Sequence, residues 1–270
     1  MNEIKLFNIA NKVRLKTLEL AVKKSKGHLG GTFSCIDLLI SLYYGGFLNS
    51  DPKKKYFKDR NRFILSKGHA CLALYIILCD LGFISKKKLM TYGDNGGLGA
   101  QLDISLPGID WNTGSLGHSI GVLAGLGLAA KLDNKKYHSF TIVGDAEMSE
   151  GSVWEALAFI GDEKIDNVTV IIDRNRLSVT DILDDIGIYR NFSQILRNLG
   201  WNPIEINGHD FKEIFNSLNE AKKSKHPTII LANTIKGKGV SFMENNIRWH
   251  HSIPTESELL IAMQELSKKV

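Results

Sequence analysis

Two polar residues follow apolar segments that are typical of buried parallel strands. Asp145 comes after the segment 139–143, and Asn175 follows the segment 167–173. The carboxyl ends of parallel strands form the edge where such sheets bind ligands, and the N-terminus of a following helix suits phosphate. A carboxylate and an amide oxygen suit magnesium or calcium held together with a diphosphate, whereas zinc prefers nitrogen and sulfur. Asp and Asn also cap helices and turns at strand ends, so a structural role stays open for this pair.

Five of the eight histidines lie in or beside predicted turns or loops, three of them in glycine-containing segments where the backbone can approach a ligand closely. They are His28 in GHLGG, His69 in SKGHA, His118 in TGSLGHS, and His250 and His251 in RWHHSIP. Imidazoles hydrogen-bond to sugar hydroxyls and transfer protons near neutral pH. A single loop histidine is usually a surface residue, but several near a predicted diphosphate–metal site favour a catalytic site.

The elements that would position these residues predict one α/β domain of the doubly wound type, residues 1–270. A strand, a helix and a second strand at 139–143, 151–164 and 167–173 predict a parallel sheet with a right-handed crossover. The remaining pattern predicts helices at 3–24, 34–44, 69–81, 117–132, 210–224 and 255–268, a short apolar run at 63–65, strands at 202–206 and 228–233, a glycine-rich turn at 27–31 and a long loop at 91–115. Ser34 is expected to cap the second helix.

Composition excludes several classes of protein. Hydrophobic residues make up 43% and charged residues 23%, which excludes disorder and a disulfide scaffold. The net charge of +5 is dispersed apart from two KKK runs, so no nucleic-acid partner is expected. No apolar run is long enough to span a membrane, and the charged N-terminus does not resemble a signal peptide. Cys35, Cys71 and Cys79 have apolar neighbours and no CxxC spacing, which predicts reduced core thiols in a cytoplasmic protein.

Five segments in order resemble the N-terminal half of transketolase, in the split form in which this half is a separate chain. They are GHLGGTFSCIDLLISLYY, DRNRFILSKGHACLALY, PGIDWNTGSLGHSIGVLAGLGLAAK, GDAEMSEGSVWEALAFIGDEKIDNVTVIIDRNRL and TIKGKGVSFMENNIRWHH. The resemblance extends from about residue 8 to residue 265. It implies a three-layer, parallel-sheet fold that binds the diphosphate of thiamin diphosphate. The pyrimidine-binding and C-terminal domains are then expected on a separate chain.

The resemblance also implies roles for individual residues. The implied magnesium ligands, which would accept calcium as a substitute, are Asp145, Asn175 and the backbone carbonyl of Leu177. The implied active-site histidines are His28, His69 and His250, of which His69 and His250 would also bind the cofactor. His251 is the alternative to His250 if the register shifts by one. The other implied cofactor contacts are Gly114, Leu116, Gly144, Ala146 and Glu147. Glu150 and Glu155 match acidic residues near a dimer interface.

The implied activity is transfer of a two-carbon ketol unit from a ketose phosphate to an aldose phosphate. In the family, a glutamate of the pyrimidine-binding domain activates the coenzyme. This chain is therefore expected to be inactive alone and active in an α2β2 complex with a C-terminal subunit.

Three positions depart from the family pattern. Ala146 replaces the last glycine of GDG, and an alanine there is costly if the position needs a positive φ. Gln101 stands where the family has a histidine that contacts a terminal hydroxyl of the donor sugar, and glutamine cannot titrate. His118 lies in a segment that is LGQG in the family. Two explanations of these departures remain open. One is sequence drift among split transketolases, and the other is adaptation to a specialised sugar pathway.

Other functions also remain open at this stage. The α subunit of a thiamin-dependent 2-oxo acid dehydrogenase shares the magnesium motif and the two-chain arrangement, but the GHLGG, SKGHA and TGSLGH segments favour transketolase. A 1-deoxyxylulose-phosphate synthase keeps both domains on one chain. A non-catalytic partner that binds thiamin diphosphate or a nucleotide is the third alternative, although the chain has no GxxxxGK[ST] motif.

Overall fold

A parallel sheet forms the centre of the computed structural model, which describes residues 2–49, 51–54, 58–178, 182–183 and 191–267. Its strands are β1 (Arg62–Leu65), β2 (Ser139–Gly144), β3 (Val168–Arg174), β4 (Asn202–Asn207) and β5 (Thr228–Asn233). They are arranged in the order β1-β2-β3-β5-β4, and every neighbouring pair is parallel. The predicted parallel α/β sheet is confirmed.

Helices cover both faces of this sheet. They are α1 (Glu3–Lys24), α2 (Leu29–Ser34), α3 (Ile36–Tyr44), α4 (Cys71–Asp80), α5 (Lys86–Leu89), α6 (Ser119–Leu132), α7 (Gly151–Asp162), α8 (Phe192–Asn198), α9 (Phe211–Lys223) and α10 (Glu256–Ser267). Within the described residues, short 3-10 helices occur at Pro52–Lys54, Gly68–Ala70, Ala146–Ser149 and Ile247–His250.

Alternate residues of the strands enter two separate cores. Ile142 and Ile171 pack with the helices α1 to α4, α9 and α10, whereas Val143 and Ile172 pack with α6, α7 and α8. Strands that are buried on both faces favour apolar or small uncharged side chains at successive positions, which explains why residues 139–143 and 168–172 include no charged residue. The expected three-layer architecture is confirmed.

The segment around residues 27–34 differs from its prediction. The predicted turn at 27–31 is wrong, because α2 already begins at Leu29, and Ser34 ends that helix instead of capping the next one. The glycines here serve close packing: a Cβ at Gly30 would lie 3.0 Å from the carbonyl oxygen of Trp249, and one at Gly31 would lie 3.2 Å from Nε2 of His69.

Other predicted boundaries agree within about two residues. In the part of the chain that the structure describes, short helices such as α5 and α8 were not predicted. Cys35 and Cys71 are buried as predicted, but Cys79 is half-buried at the end of α4. Among the described residues, no helix is long and apolar enough to cross a membrane.

Candidate functional site

Four neighbouring strands end at one edge of the sheet, and each is followed by a polar residue. The register aligns Gly144 of β2 with Asp173 of β3, and Asp173 with Ala232 of β5. Parallel strands bring their carboxyl ends to the same level, so side chains that are distant in sequence meet there. The residues in question are Lys67 after β1, Asp145 after β2, Asn175 after β3 and Lys236 after β5.

A buried ion pair lies at the centre of this edge. Nζ of Lys67 contacts the carboxylate of Asp173, and their side chains are 2% and 0% exposed. The same carboxylate accepts hydrogen bonds from the hydroxyls of Ser34, at 2.6 Å, and Thr234. Burial disfavours the charged lysine, but the charge of Asp173, its hydrogen bond and other nearby acidic groups together outweigh burial and raise the pKa of Lys67 above its usual value. Lys67 therefore stays charged, and the contacts of the Asp173 carboxylate join α2 to three strand ends.

Asp145 and Asn175, the predicted metal ligands, line the same cavity at this edge. The Asp145 carboxylate accepts hydrogen bonds from the backbone N–H groups of Ala146, at 2.9 Å, and Arg176. The Asn175 side-chain oxygen accepts one from the N–H of Leu177, at 3.2 Å. Burial, and then the nearby negative charge of Asp173, raise the pKa of Asp145 to about 7. A cation bound at this carboxylate would relieve that cost.

The donor set fits a hard cation. Asp145 offers a carboxylate, Asn175 an amide oxygen and Leu177 a backbone carbonyl, and all three residues line one cavity. The Leu177 carbonyl oxygen already faces a positive charge, since Nζ of Lys236 lies 3.3 Å from it and 2.7 Å from the carbonyl oxygen of Ser178. Oxygen ligands of these types suit Mg²⁺ or Ca²⁺ better than Zn²⁺.

Lys236 is a site residue that the sequence analysis did not assign. It is 1% exposed, and burial, followed by repulsion from Lys67, lowers its pKa to about 8. Asp145 was predicted because polar residues that follow parallel strands lie at the edge where ligands bind. The same rule would also have found Lys236, because it follows β5 by three residues. The same rule applies to Lys67, which follows β1 in the SKGHA segment and was also missed.

Glu147 positions the loop above the cavity. Its carboxylate accepts hydrogen bonds from the hydroxyl of Ser66, from the N–H of Gly117 at 2.9 Å and from the N–H of Gly144 at 3.3 Å. Burial raises the pKa of Glu147, and its protein donors oppose that shift. Three donors occupy this carboxylate, so its role is to hold the residue 117 turn against β2.

Four imidazoles gather beside the cavity. The ring centroid of His28 lies 5.4 Å from that of His69 and 5.6 Å from that of His250, and the His69–His250 separation is 5.5 Å. His251 lies 4.6 Å from both His28 and His250. The structure thus brings together all three predicted histidines and includes the alternative one.

Three of these imidazoles are neutral at physiological pH. Burial lowers the pKa of His28, with repulsion from His251 adding to it, and burial also lowers the pKa of His250 to about 3. Burial, then the charge of Lys67, lowers the pKa of His69. Within the part of the chain that the structure describes, Nδ1 of His28 and Nδ1 of His250 are buried and have no hydrogen-bond partner.

Gln101, Leu116 and His118 belong to loops at the rim of the cavity. The side chain of Gln101 is exposed but packs over two glycines, since a Cβ at Gly68 would meet its Oε1 and a Cβ at Gly114 would lie 3.1 Å from its Cγ. Leu116 is 39% exposed and lines the cavity. His118 is exposed, with Nδ1 3.1 Å from Oγ of Ser115 and from the carbonyl oxygen of Leu116.

Ala146 carries no backbone penalty, because it is not among the described residues with a positive φ.

The cavity beside these residues has a volume of about 120 Å³. It is lined by Gly31, Lys67, His69, Leu116, Gly144, Asp145, Ala146, Glu147, Asn175, Leu177, Ser178, Lys236 and His250. Glu150 and Glu155 do not line the cavity. Glu150 directly precedes α7, Glu155 lies on α7, and both are exposed.

The fold and this cavity define an α/β domain in which oxygen ligands and a lysine ammonium line one cavity at the carboxyl edge of a parallel sheet. The family model described as "Transketolase, thiamine diphosphate binding domain" matches residues 7–267. The chain therefore belongs to the transketolase family, in the part that binds thiamin diphosphate, and the enzyme class is a transketolase-type transferase.

Similar proteins include chains of nearly the same length. The chain is 36% identical over 265 residues to one subunit of the apulose-4-phosphate transketolase of Phocaeicola vulgatus, covering 97% of this chain and 93% of that one. It is 35% identical over 270 residues to "6-deoxy-6-sulfo-D-fructose transketolase subunit SqwG" of Clostridium sp. (strain MSTE9), covering 99% and 98%. These relatives favour transketolase over the 2-oxo acid dehydrogenase subunit that the sequence left open.

Full-length transketolases are matched only in part. The crystal structure of transketolase from Campylobacter jejuni superposes with a TM-score of 0.92 at 28% identity and covers 99% of this chain but 43% of that chain. Human transketolase is 31% identical over 259 residues, which are 91% of this chain and 39% of that protein. The chain thus corresponds to about two fifths of a full-length transketolase.

Proposed function

We propose that this chain binds the diphosphate of thiamin diphosphate together with Mg²⁺ and forms part of an active site that transfers a two-carbon ketol unit from a ketose phosphate to an aldose phosphate. One observation carries the proposal: hard oxygen ligands and a lysine ammonium share a cavity at converging strand ends, beside neutral imidazoles. Asp145, Asn175 and the Leu177 carbonyl would hold the cation, and Ca²⁺ would fit the same oxygens.

Lys236 and His69 are the groups best placed to bind the diphosphate. Both line the cavity next to the oxygen ligands. Burial lowers the pKa of Lys236 to about 8, so a diphosphate would supply the counter-charge that stabilises its ammonium. Gly144 and Ala146 also line this cavity, and their small size allows a ligand to lie close to the backbone.

His28 and His250 would orient the sugars and move protons between their hydroxyls. Each has a buried Nδ1 with no partner among the described residues, and each is neutral, so it can both accept and donate a hydrogen bond. When bound, the coenzyme supplies the electron sink that cleavage of a carbon–carbon bond requires. The chain supplies binding, orientation and proton transfer.

A separate C-terminal subunit, in an α2β2 complex, is the proposed partner and would carry the pyrimidine-binding domain. Two relatives are themselves named as single subunits of a transketolase, which supports a second chain. The cavity of about 120 Å³ is small beside the roughly 300–1,000 Å³ of a complete ligand pocket. One side of α6 exposes Gly121, Gly125 and Ala129, and nothing lies within 4 Å of a Cβ at either glycine, so another backbone could approach closely. The active site would be completed where the two chains meet. The complex would be cytoplasmic.

The substrate is proposed to be a sugar phosphate of a specialised pathway. Relatives named for apulose-4-phosphate and 6-deoxy-6-sulfo-D-fructose support this over simple drift. Gln101 lies beside Gly68, next to His69, where it can contact a donor sugar without titrating. Replacing Gln101 with His and comparing ketose phosphate donors tests its role. A shift in relative kcat/KM among donors is expected, and an unchanged ranking would assign Gln101 no part in specificity.

Calorimetric titration of thiamin diphosphate with Mg²⁺ tests the central proposal. It is performed on the chain alone and on the chain mixed with a candidate C-terminal subunit. We expect binding that appears or tightens strongly with the partner, and ketol transfer only in the mixture. Transfer by the isolated chain would refute the two-chain site, and no binding in either sample of folded protein would refute the cofactor assignment.

A further inference from the structure

Three of the four imidazoles beside the cavity form a compact group with an arrangement that the proposed sugar chemistry does not require. One ring nitrogen from each of His28, His250 and His251 lies within 4.8 Å of those of the other two. Their ring centroids are 4.6, 4.6 and 5.6 Å apart, and the rings meet at interplanar angles of 65°, 69° and 84°. Edge-to-face rings, unlike stacked ones, can direct nitrogens towards one point.

This spacing matches the geometry of imidazoles around a single ion. With Zn–N distances of about 2.0–2.1 Å and tetrahedral angles, three bound imidazoles have ring centroids roughly 5 Å apart. The observed separations lie on both sides of that value. Small side-chain rotations would therefore bring the three nitrogens into coordinating positions, and the fourth position would stay open to water.

The protonation states also suit a metal. Neutral imidazole is the form that coordinates, and burial keeps His28 and His250 neutral by lowering the pKa of each. A buried ring nitrogen without a partner costs free energy, and Nδ1 of His28 and Nδ1 of His250 are in that state within the described part of the chain. His251 is exposed and can turn towards the other two.

We propose that His28, His250 and His251 form a binding site for Zn²⁺ or a similar transition-metal ion, distinct from the oxygen site of Asp145 and Asn175. Three nitrogen ligands without a carboxylate select ions of this kind over Mg²⁺ and Ca²⁺. If His28 and His250 bind sugar hydroxyls, which rests on the proposed function, the ion would inhibit ketol transfer in competition with the sugar.

Co²⁺ is the probe for the test, because cobalt bound by three imidazoles at low coordination number absorbs visible light much more strongly than cobalt in six-coordinate oxygen sites. The full chain, without an affinity tag, is titrated with Co²⁺ in excess Mg²⁺, which occupies the oxygen site. The same titration is made with His251→Asn, with His226→Asn as a matched exposed control, and with Asp145→Asn. Thermal unfolding of each variant shows that it is folded.

We expect an intense visible band that is displaced by Zn²⁺ and retained in His226→Asn and Asp145→Asn. Loss of one ligand should weaken Co²⁺ affinity at least about tenfold in His251→Asn, since even changes outside the ligand shell cost that much. No intense band in the wild type, or equal affinity in His251→Asn, would overturn the proposal. Asp145→Asn changes the proposed magnesium site and leaves the three histidines, so the Co²⁺ band tests the histidine site alone. Failure of the magnesium site is seen separately, in the titration of thiamin diphosphate with Mg²⁺.

Discussion

The ammonium of Lys67 and the carboxylate of Asp173 are 106 residues apart in sequence and form an ion pair that is almost inaccessible to solvent. The hydroxyls of Ser34 and Thr234 complete the coordination of the carboxylate, so one acidic side chain joins α2 to the ends of β1, β3 and β5. This pair supports the floor of the cavity, because His69 follows Lys67 by two residues and Lys236 follows Thr234 by two.

Breaking that pair should destabilise the whole domain. Lys67→Met leaves Asp173 buried without its counter-charge, and the free energy of unfolding should fall by about 3–5 kcal/mol. The matched control is Lys135→Met, which removes a pair with Asp59 whose side chains are 37% and 45% exposed. The control should lose about 1 kcal/mol or less. Urea unfolding measures both, and equal losses would show that the buried pair contributes no more than the exposed one.

Lys236→Met should weaken cofactor binding specifically. The variant loses the ammonium that faces the Leu177 and Ser178 carbonyls, and with it a charged contact to the diphosphate. The Kd for thiamin diphosphate, measured by calorimetry with Mg²⁺ and the partner chain, should rise about 10- to 100-fold. Lys238→Met in the same loop, where the lysine pairs with Glu244 at 3.5 Å, is the control. A similar Kd for the two variants would remove Lys236 from the diphosphate site.

His138 should make stability depend on pH. It is buried, its Nε2 lies 2.7 Å from Oγ1 of Thr169, and burial, followed by the charge of Lys222, lowers its pKa from 6.5 to about 4. The unfolded chain therefore binds the proton more readily, so the stability contributed above pH 6.5 is lost as pH falls towards 4, up to about 3 kcal/mol.

Comparison with His138→Gln isolates this contribution, because the two proteins differ in no other ionisable group. Urea unfolding at about pH 7.5 and about pH 5 should show a smaller loss of stability in the variant than in the wild type. Parallel pH profiles for the two proteins would contradict the assignment to His138.

Restoring glycine at position 146 should have little effect. Ala146 has no left-handed backbone conformation to relieve, so the Kd of Ala146→Gly for thiamin diphosphate should stay within about threefold of the wild type. Gly114→Ala is the contrasting change, since Gly114 has a φ of 120° and its added Cβ would lie 3.1 Å from Gln101. That variant should lose about 1–2 kcal/mol of stability. Marked tightening in Ala146→Gly would show that the methyl group obstructs the diphosphate.

Local sequence patterns determined most of the architecture. The helix predicted at 3–24 and the strand at 228–233 have the bounds observed, because apolar periodicity reflects which faces are buried. The positions of Asp145 and Asn175 followed from a rule about parallel strands that needs no tertiary information.

Only the tertiary structure decided how α2 and the lysines are used. Ser34 looks like a helix cap in sequence, but its hydroxyl binds Asp173, 139 residues away. The positions of Lys67 and Lys236 after parallel strands are visible in the sequence, but their burial and their partners arise only when the strand ends converge. His251 likewise joins His28 only when the segment after β5 returns to the N-terminus of α2. Such contacts depend on chain topology. A local sequence pattern does not specify which distant side chain will contact a residue, because burial and pairing arise only when the sheet is assembled.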